Sequence, residues 1–327
     1  MKETDMNQAV EISVVVPVYG CSSMLRELYL RLQDALAPVC ESYEVILVDD
    51  CGPDDSWDVI RGLAAQDGRV RGLRLSRNFG QHYAITAGLQ ASCGEWVVVM
   101  DCDLQDQPEE IPAMLQKARQ GYQVVQARRH MRKDGAFKKF LSRTFYHLLS
   151  WLTGTPHDPA VANFGVYHRK AIDAICSMKE HIRYFPTMVK WVGFRQTTVD
   201  VTHSPRHNGR SAYSYRKLMR LALDIILAYS DKPLRLTVKA GILISLSSFI
   251  YAIYALIRAL TTGFDVKGYA SIIVSIWFLA GLIVFILGVV GLYIGKTFEG
   301  VKARPVFIVD ERTDLAEGGG LRAEAKV

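Results

Sequence analysis

Short apolar runs alternate with stretches of helical periodicity through the first third of the chain. Residues 12–19, Ile-Ser-Val-Val-Val-Pro-Val-Tyr, have the unbroken apolar pattern of a strand buried on both faces. Residues 24–36 repeat their apolar positions with the period of a helix. Residues 44–48 form a second apolar run that ends in Asp49-Asp50, and Pro53-Asp54-Asp55-Ser56 then caps a helix to about residue 66. A third strand is predicted over 70–75, a helix over 81–91 broken by Cys93-Gly94, and a fourth strand over 96–100. Pro108-Glu109-Glu110-Ile111-Pro112 opens another helix. Strand–helix alternation of this kind predicts an α/β domain built on a doubly wound, mostly parallel sheet.

Further along, the pattern changes. Phe137, Phe140, Leu141, Phe145, Leu148, Leu149 and Leu152 share one helical face, with Lys138, Lys139 and Arg143 elsewhere. Leu218, Leu221, Ala222, Ile225 and Tyr229 make a second such face beside Arg216, Lys217 and Arg220. These amphipathic segments, about 137–152 and 215–230, read either as core-packing helices or as helices lying in a membrane interface. Residues 240–257 and 268–295 then carry no charge at all. A bilayer core needs about 20 apolar residues of helix, so two transmembrane helices are predicted over about 237–260 and 269–295. Lys232, Arg235 and Lys239 precede the first, and Lys296, Lys302 and Arg304 follow the second. The positive-inside rule therefore puts both outer flanks in the cytoplasm. Residues 1–10 lack the apolar core of a signal peptide. The expected organisation is a cytoplasmic domain over 1–230, two spans within 236–297 and a cytoplasmic tail over 298–327.

Composition agrees with a membrane-bound protein more than with a soluble one. Half of the 327 residues are apolar and the net charge is +6. The six cysteines, 21, 40, 51, 93, 102 and 176, have no metal-type spacing and are expected to be packing residues of a reducing compartment. Nothing points to nucleic acid as a partner.

Ligands of doubly wound sheets bind beyond the carboxyl ends of the strands. Tyr19, Asp49, Asp50, Arg77 and Asp101 all fall there. No G-x-G-x-x-G follows the first strand, which argues against a dinucleotide-binding dehydrogenase. Asp101-Cys102-Asp103 sets two carboxylates two positions apart at a strand end. Such a pair suits a hard divalent cation with open positions for substrate phosphates. The same D-x-D pattern also occurs in ordinary acidic loop ends. The run from Arg128 through Lys133 reads either as a solvated face or as a partner for anionic lipid headgroups.

Taken in order, these pieces resemble the polyprenyl-phosphate glycosyltransferases with a GT-A (Rossmann-like) catalytic domain. The resemblance rests on Val-Pro-Val-Tyr at 16–19, Val-Asp-Asp at 48–50, Ser-Arg-Asn-Phe-Gly-Gln-His at 76–82, Asp-Cys-Asp-Leu-Gln-Asp at 101–106 and Pro-Glu-Glu-Ile-Pro at 108–112. It continues through Trp-Val-Gly-Phe at 191–194, Arg206-x-x-Gly209-x-Ser211-x-Tyr213, Pro233-Leu234-Arg235, Gly295-Lys296 and Val301-Lys302-Ala303-Arg304-Pro305. Bactoprenol glucosyltransferases and undecaprenyl-phosphate aminoarabinose transferases are the similar groups. The resemblance implies inverting transfer of a sugar from a nucleotide-sugar, usually a UDP-sugar, to undecaprenyl phosphate at the bacterial inner membrane. It implies Mg²⁺ or Mn²⁺ held by Asp103 and Gln105 with Asp101 beside the donor sugar. Pro17, Tyr19, Asp50 and Asp49 would line the nucleoside pocket, with Arg77 and Asn78 at base and ribose. Arg128 and Arg206 would lie near the donor phosphates, and Arg129, Lys139, Arg210 and Ser211 near the acceptor phosphate. Relatives assemble as tetramers, and residues 304–309 look like a strand that could exchange between subunits.

The chain also departs from the family pattern. Gly20-Cys21 follow the first strand where many relatives have Glu or Asn, and Asn163 stands where the bactoprenol branch carries an Asp that is a candidate base. Asp158 is the nearby substitute for that base. Ala212 replaces a Lys, and Leu292 a common Glu. Two alternatives stay open: a processive polysaccharide synthase, although its Q-x-x-R-W element is missing, and a non-catalytic nucleotide-sugar-binding membrane scaffold.

Overall fold

The computed structural model describes residues 10–129, 161–201, 230–262 and 268–314. These fall into two compact units, one built on the sheet and one on the long helices.

The first unit is an eight-stranded sheet. Its strands are β1 (Ile12–Val18), β2 (Tyr43–Asp49), β3 (Val70–Leu75), β4 (Trp96–Val99), β5 (Val124–Arg129), β6 (Val161–His168), β7 (Gln196–Val201) and β8 (Val309–Arg312), ordered β7-β5-β6-β4-β1-β2-β3-β8. β1, β2, β3 and β4 run parallel, as the apolar runs predicted. The sheet is mixed but mostly parallel: β5 and β7 share the direction of β1–β4, and two strands are reversed. β6 runs antiparallel to both β4 and β5, and β8 antiparallel to β3. The chain passes from β4 through the helix Ile111–Ala118 to β5, and β6 inserts between those two strands in the reversed direction.

Side-chain alternation on the strands sorts the helices into two layers. Val14, Val16 and Val18 face α1 (Ser22–Leu36), α2 (Ser56–Gln66) and α4 (Ile111–Ala118). Val15, Ile46 and Val48 face α3 (Gln81–Ala91), α5 (Arg169–Ser177) and α6 (Phe185–Trp191). A strand clad on both faces in this way has no polar side to show, hence its unbroken apolar run. α3 lies so close to the sheet that a Cβ on Gly88 would collide with the side chain of Val15. At the amino ends of the strands Glu44 is buried at 6% exposure but fully met. Its carboxylate takes Ser13 Oγ at 2.6 Å, the Cys93 N–H at 2.8 Å and the Arg71 guanidinium at 2.8 Å. A buried charge is tolerated only with such pairing.

The strand expected over 304–309 does not form over 304–308; the tail strand is β8, Val309–Arg312, paired within the chain to β3. Val309 is partly buried and the next three residues are exposed, as suits an edge strand carrying charge.

The second unit contains α7 (Lys232–Thr262) and α8 (Tyr269–Val301). They coincide with the two charge-free stretches. Among the described residues one helical stretch, Ser275–Val301, has the length and apolarity to cross a bilayer. The phenol of Tyr293 donates to the carbonyl of Ser230 at 2.8 Å. The amphipathic segments 137–152 and 215–229 lie outside the described residues.

Candidate active site

Parallel register brings the carboxyl ends of β2, β1 and β4 side by side. Pro17 is buried opposite Val48 in the ladder, and Tyr19 stands just past the end of β1 with half its surface exposed. Asp49 closes β2 and Asp50 follows, its N–H donating to the carbonyl of Val18 at 2.9 Å. Both aspartates are buried, at 2% and 3% exposure.

The two carboxylates do different things. Asp50 accepts the N–H of Phe79 through Oδ1 and that of Gly80 through Oδ2, each at 2.8 Å. It thereby holds the Arg77-Asn78-Phe79-Gly80 turn, in which Gly80 takes φ +109°, a region that strains any residue with a Cβ. Asp49 accepts the Gly52 N–H through Oδ1 at 3.1 Å, while its Oδ2 lies 3.6 Å from Arg74 Nε, beyond hydrogen-bond range. Burial raises the pKa of both. For Asp49 the Gly52 N–H and Arg74 counter it, and for Asp50 the Phe79 and Gly80 amides do. Asp54 ties the neighbouring loops together. It accepts the Ser22 N–H at 2.9 Å and Ser56 Oγ at 2.6 Å, linking the starts of α1 and α2.

Arg77 and Asn78 are exposed on that turn, and the Arg77 guanidinium lies over the Phe79 ring, 4.2 Å from its centroid. Asp101 and Asp103 are half-buried beyond β4. Asp101 Oδ1 accepts the side-chain amide of Gln81 at 2.7 Å, and Asp103 Oδ1 accepts the Gln105 N–H at 3.2 Å. Between Asp103 and Gln105 the chain turns through Leu104 at φ 58°, a left-handed conformation rare for a non-glycine residue and typical of constrained sites. Cys21 and Cys102 form a disulfide across 81 residues, with Cα atoms 6.3 Å apart. This corrects the expectation that all six cysteines are packing residues. It ties the loop after β1 to the middle of the D-x-D turn.

Arg128 is exposed near the end of β5, and Arg129 closes that strand opposite Val201. Asn163 sits in β6, where its carbonyl accepts the phenol of the buried Tyr167 at 3.3 Å. Lys139, Asp158, Arg206, Arg210 and Ser211 lie outside the described residues. Two participants escaped the sequence reading. Gln81 meets Asp101 only because α3 and β4 share the sheet's carboxyl edge. Its signal was the Gly80-Gln81-His82 run. The partnership of Arg74 with Asp49 is a cross-strand register that apolar patterning does not reveal.

The residues present fit a divalent cation of the kind that borrows ligands from its substrate. Among the described residues no group of three or more His, Cys, Asp or Glu forms a self-sufficient metal cage. Two half-buried carboxylates and an amide on one turn are oxygen donors suited to Mg²⁺ or Mn²⁺ completed by phosphates.

A mixed Rossmann-like sheet with acidic residues gathered past its parallel strands is the frame of a GT-A glycosyltransferase. Residues 13–177 match the model of glycosyl transferase family 2, and the chain belongs to that family. It is 38% identical to the uncharacterized glycosyltransferase YkcC of Bacillus subtilis, over 94% of this chain and 95% of the other. It is 32% identical to the undecaprenyl-phosphate 4-deoxy-4-formamido-L-arabinose transferase of Pseudomonas paraeruginosa, over 91% of this chain and 89% of the other. Among solved structures it is similar to glucosyl-3-phosphoglycerate synthase from Mycobacterium tuberculosis, at 17% identity and a TM-score of 0.48 over 67% of this chain and 77% of the other. That likeness is too distant to bear on donor or metal.

Proposed function

We propose that this glycosyltransferase moves a sugar, with inversion, from a UDP-sugar to polyprenyl phosphate at the cytoplasmic face of the bacterial inner membrane. The observation that carries the reading is the convergence of Asp49, Asp50, Asp101 and Asp103 at the carboxyl ends of adjacent parallel strands. The acceptor class comes from the full-length relatives named as undecaprenyl-phosphate transferases.

In this reading the nucleoside lies against Pro17, Tyr19 and the Asp49–Asp50 edge, with Arg77 and Asn78 on the facing turn. The open Oδ2 of Asp49 supports it, more than Asp50, as the acceptor for nucleoside N–H or O–H groups. Asp103 and Gln105 hold a divalent cation with Asp101 toward the donor sugar; when bound, that cation neutralises charge on the departing diphosphate. Gln81 donates to Oδ1 of Asp101 and so orients that carboxylate at the sheet's carboxyl edge. Arg128 and Arg206 complement the donor phosphates. Arg129, Lys139, Arg210 and Ser211 orient the acceptor phosphate.

That acceptor is a phosphate monoester whose second pKa is about 6, so it arrives as a nucleophilic dianion. Positioning and charge complementarity then supply the catalysis. Asp158 is not required as a base, and Asn163 in place of an acid is consistent with that.

Both α7 and α8 span the membrane in this reading. Large apolar side chains on each stand exposed, Ile242, Leu243 and Ile250 on α7 and Trp277, Phe285 and Ile294 on α8 among them. Helices whose apolar side chains point outward suit lipid rather than water. The segments 137–152 and 215–230 lie in the interface, and the chain forms a homo-oligomer. Incubating the full chain in membranes with labelled undecaprenyl phosphate and a panel of UDP-sugars tests the reading. One sugar forming a lipid-linked product supports it, and no lipid product from any donor rejects it.

A further inference from the structure

Asp49, Arg74 and Glu311 stand in one row across three strands, each paired in register with the next. Arg74 is therefore held between two carboxylates, and it is held unequally. Its Nη1 is 2.8 Å from Glu311 Oε1, whereas its Nε is 3.6 Å from Asp49 Oδ2. Glu311 is itself fixed from the other side, because Trp57 Nε1 donates to its Oε2 at 3.0 Å. The strand that carries it is anchored independently. Gly72 donates to Thr313 Oγ1 at 2.8 Å, the Thr313 N–H returns to the Gly72 carbonyl at 3.1 Å, and Ser76 donates to the carbonyl of Ile308 at 3.0 Å. The segment past Arg304 is thus pinned along β3, with one carboxylate aimed at Arg74.

The competition has a chemical consequence at the donor edge. Asp49 is buried, and its Oδ1 is already used by Gly52. Oδ2 is the oxygen left for a ligand, and Arg74 is the cation positioned to occupy it. A guanidinium that closed by less than 1 Å would form a charge-assisted hydrogen bond there, stronger than one to a neutral donor. Glu311 draws Arg74 outward and keeps that bond from forming, while leaving the positive charge near enough to favour ionised Asp49.

We infer that Glu311 is a positioning residue for the nucleotide donor: by holding Arg74 away from Asp49 it keeps Asp49 Oδ2 available to the nucleoside. The inference rests on the reading of Asp49 as part of the nucleoside pocket. It gives β8 a role in donor affinity beyond covering the edge of the sheet.

The test uses the full chain in detergent or nanodiscs, with UDP plus Mn²⁺ as the calorimetric probe and lipid transfer as the kinetic one. Glu311→Gln keeps the shape and the acceptor for Trp57 but removes the charge that holds Arg74. It is expected to weaken UDP binding and raise the donor KM about fivefold, with kcat and the acceptor KM within twofold of wild type. Thr313→Val removes a β8 anchor without touching Arg74, and is expected to leave the donor KM unchanged. Unchanged UDP affinity and donor KM in Glu311→Gln overturn the inference. So does an equal loss in Thr313→Val, which would reduce Glu311 to a docking contact. Failure of wild type to bind UDP overturns the nucleoside-pocket reading, and this inference with it, and is distinguished by the wild-type titration alone.

Discussion

The carboxylate of Asp50 accepts the backbone N–H of Gly80 at 2.8 Å, joining positions 30 residues apart in the chain. With the parallel bond from Phe79 it makes Asp50 the anchor of the turn that presents Arg77 and Asn78. A residue with both oxygens committed to backbone amides is first a builder of the site.

Asp50→Ala leaves both amides without their acceptor, and losing charge-assisted bonds of this kind costs about 1–3 kcal/mol. The variant is expected to melt at lower temperature and to bind donor weakly because the turn is no longer held. Asp50→Asn, which keeps one acceptor oxygen, falls between it and wild type. Thermal melts of the solubilised chain, with and without UDP, check this. A variant that loses donor binding with an unchanged melt would show that Asp50 acts on the ligand alone.

His82 opens a second prediction. Its Nδ1 is buried with no hydrogen-bond partner among the described residues, and its ring meets that of Tyr184 edge-on at 4.8 Å. Burial lowers its pKa from 6.5 to about 4. The folded chain therefore keeps this ring neutral where the unfolded chain protonates it. Stability from this group is full above pH 6.5 and is lost as pH falls from 6.5 toward 4. His82→Gln removes the titration, so its melting temperature should fall less between pH 7 and pH 5 than that of wild type. Equal slopes would assign the acid sensitivity to other groups.

The Cys21–Cys102 link predicts a specific peptide map. Without reductant, digestion should yield one cross-linked peptide carrying both residues, while Cys40, Cys51, Cys93 and Cys176 remain open to alkylation after unfolding. Closing a loop of this length stabilises a chain by about 4 kcal/mol when chain entropy dominates. Reduction should therefore lower the melting temperature, and an unchanged melt would mean that the bond constrains little.

Asp158→Asn is expected to retain turnover within a few-fold of wild type, since an ionised phosphate needs no base. General bases contribute about 10²- to 10⁴-fold. A loss beyond about a hundredfold would restore Asp158 to the reaction.

The sequence exposed those parts of the fold in which one strand's own residues carry the signal. β1, β2 and β4 are near-continuous apolar runs, and their ends fall at turn residues, so those strand ends and the acidic pairs beyond them could be located directly. β6 takes its antiparallel direction from its neighbours β4 and β5, which no local pattern encodes. β5 was hidden because Arg128 and Arg129 extend into a basic run. β8, Val-Asp-Glu-Arg, is a charged edge strand whose signal is the match of Glu311 to Arg74, far apart in the chain. The same holds for chemistry. Asp101 and Asp103 were legible as a D-x-D, but the link from Gln81 to Asp101 and that from Cys21 to Cys102 exist only once the strand ends are assembled.

The central claim is tested most directly by following label from a UDP-sugar into the organic phase, with and without undecaprenyl phosphate, for wild type and Asp103→Ala in washed membranes. Wild type should form an organic-soluble sugar lipid only when both undecaprenyl phosphate and Mg²⁺ or Mn²⁺ are present. Asp103→Ala should form none while remaining in the membrane fraction. Label passing to a water-soluble acceptor or a growing polymer, or undiminished lipid product from Asp103→Ala, would contradict the assignment.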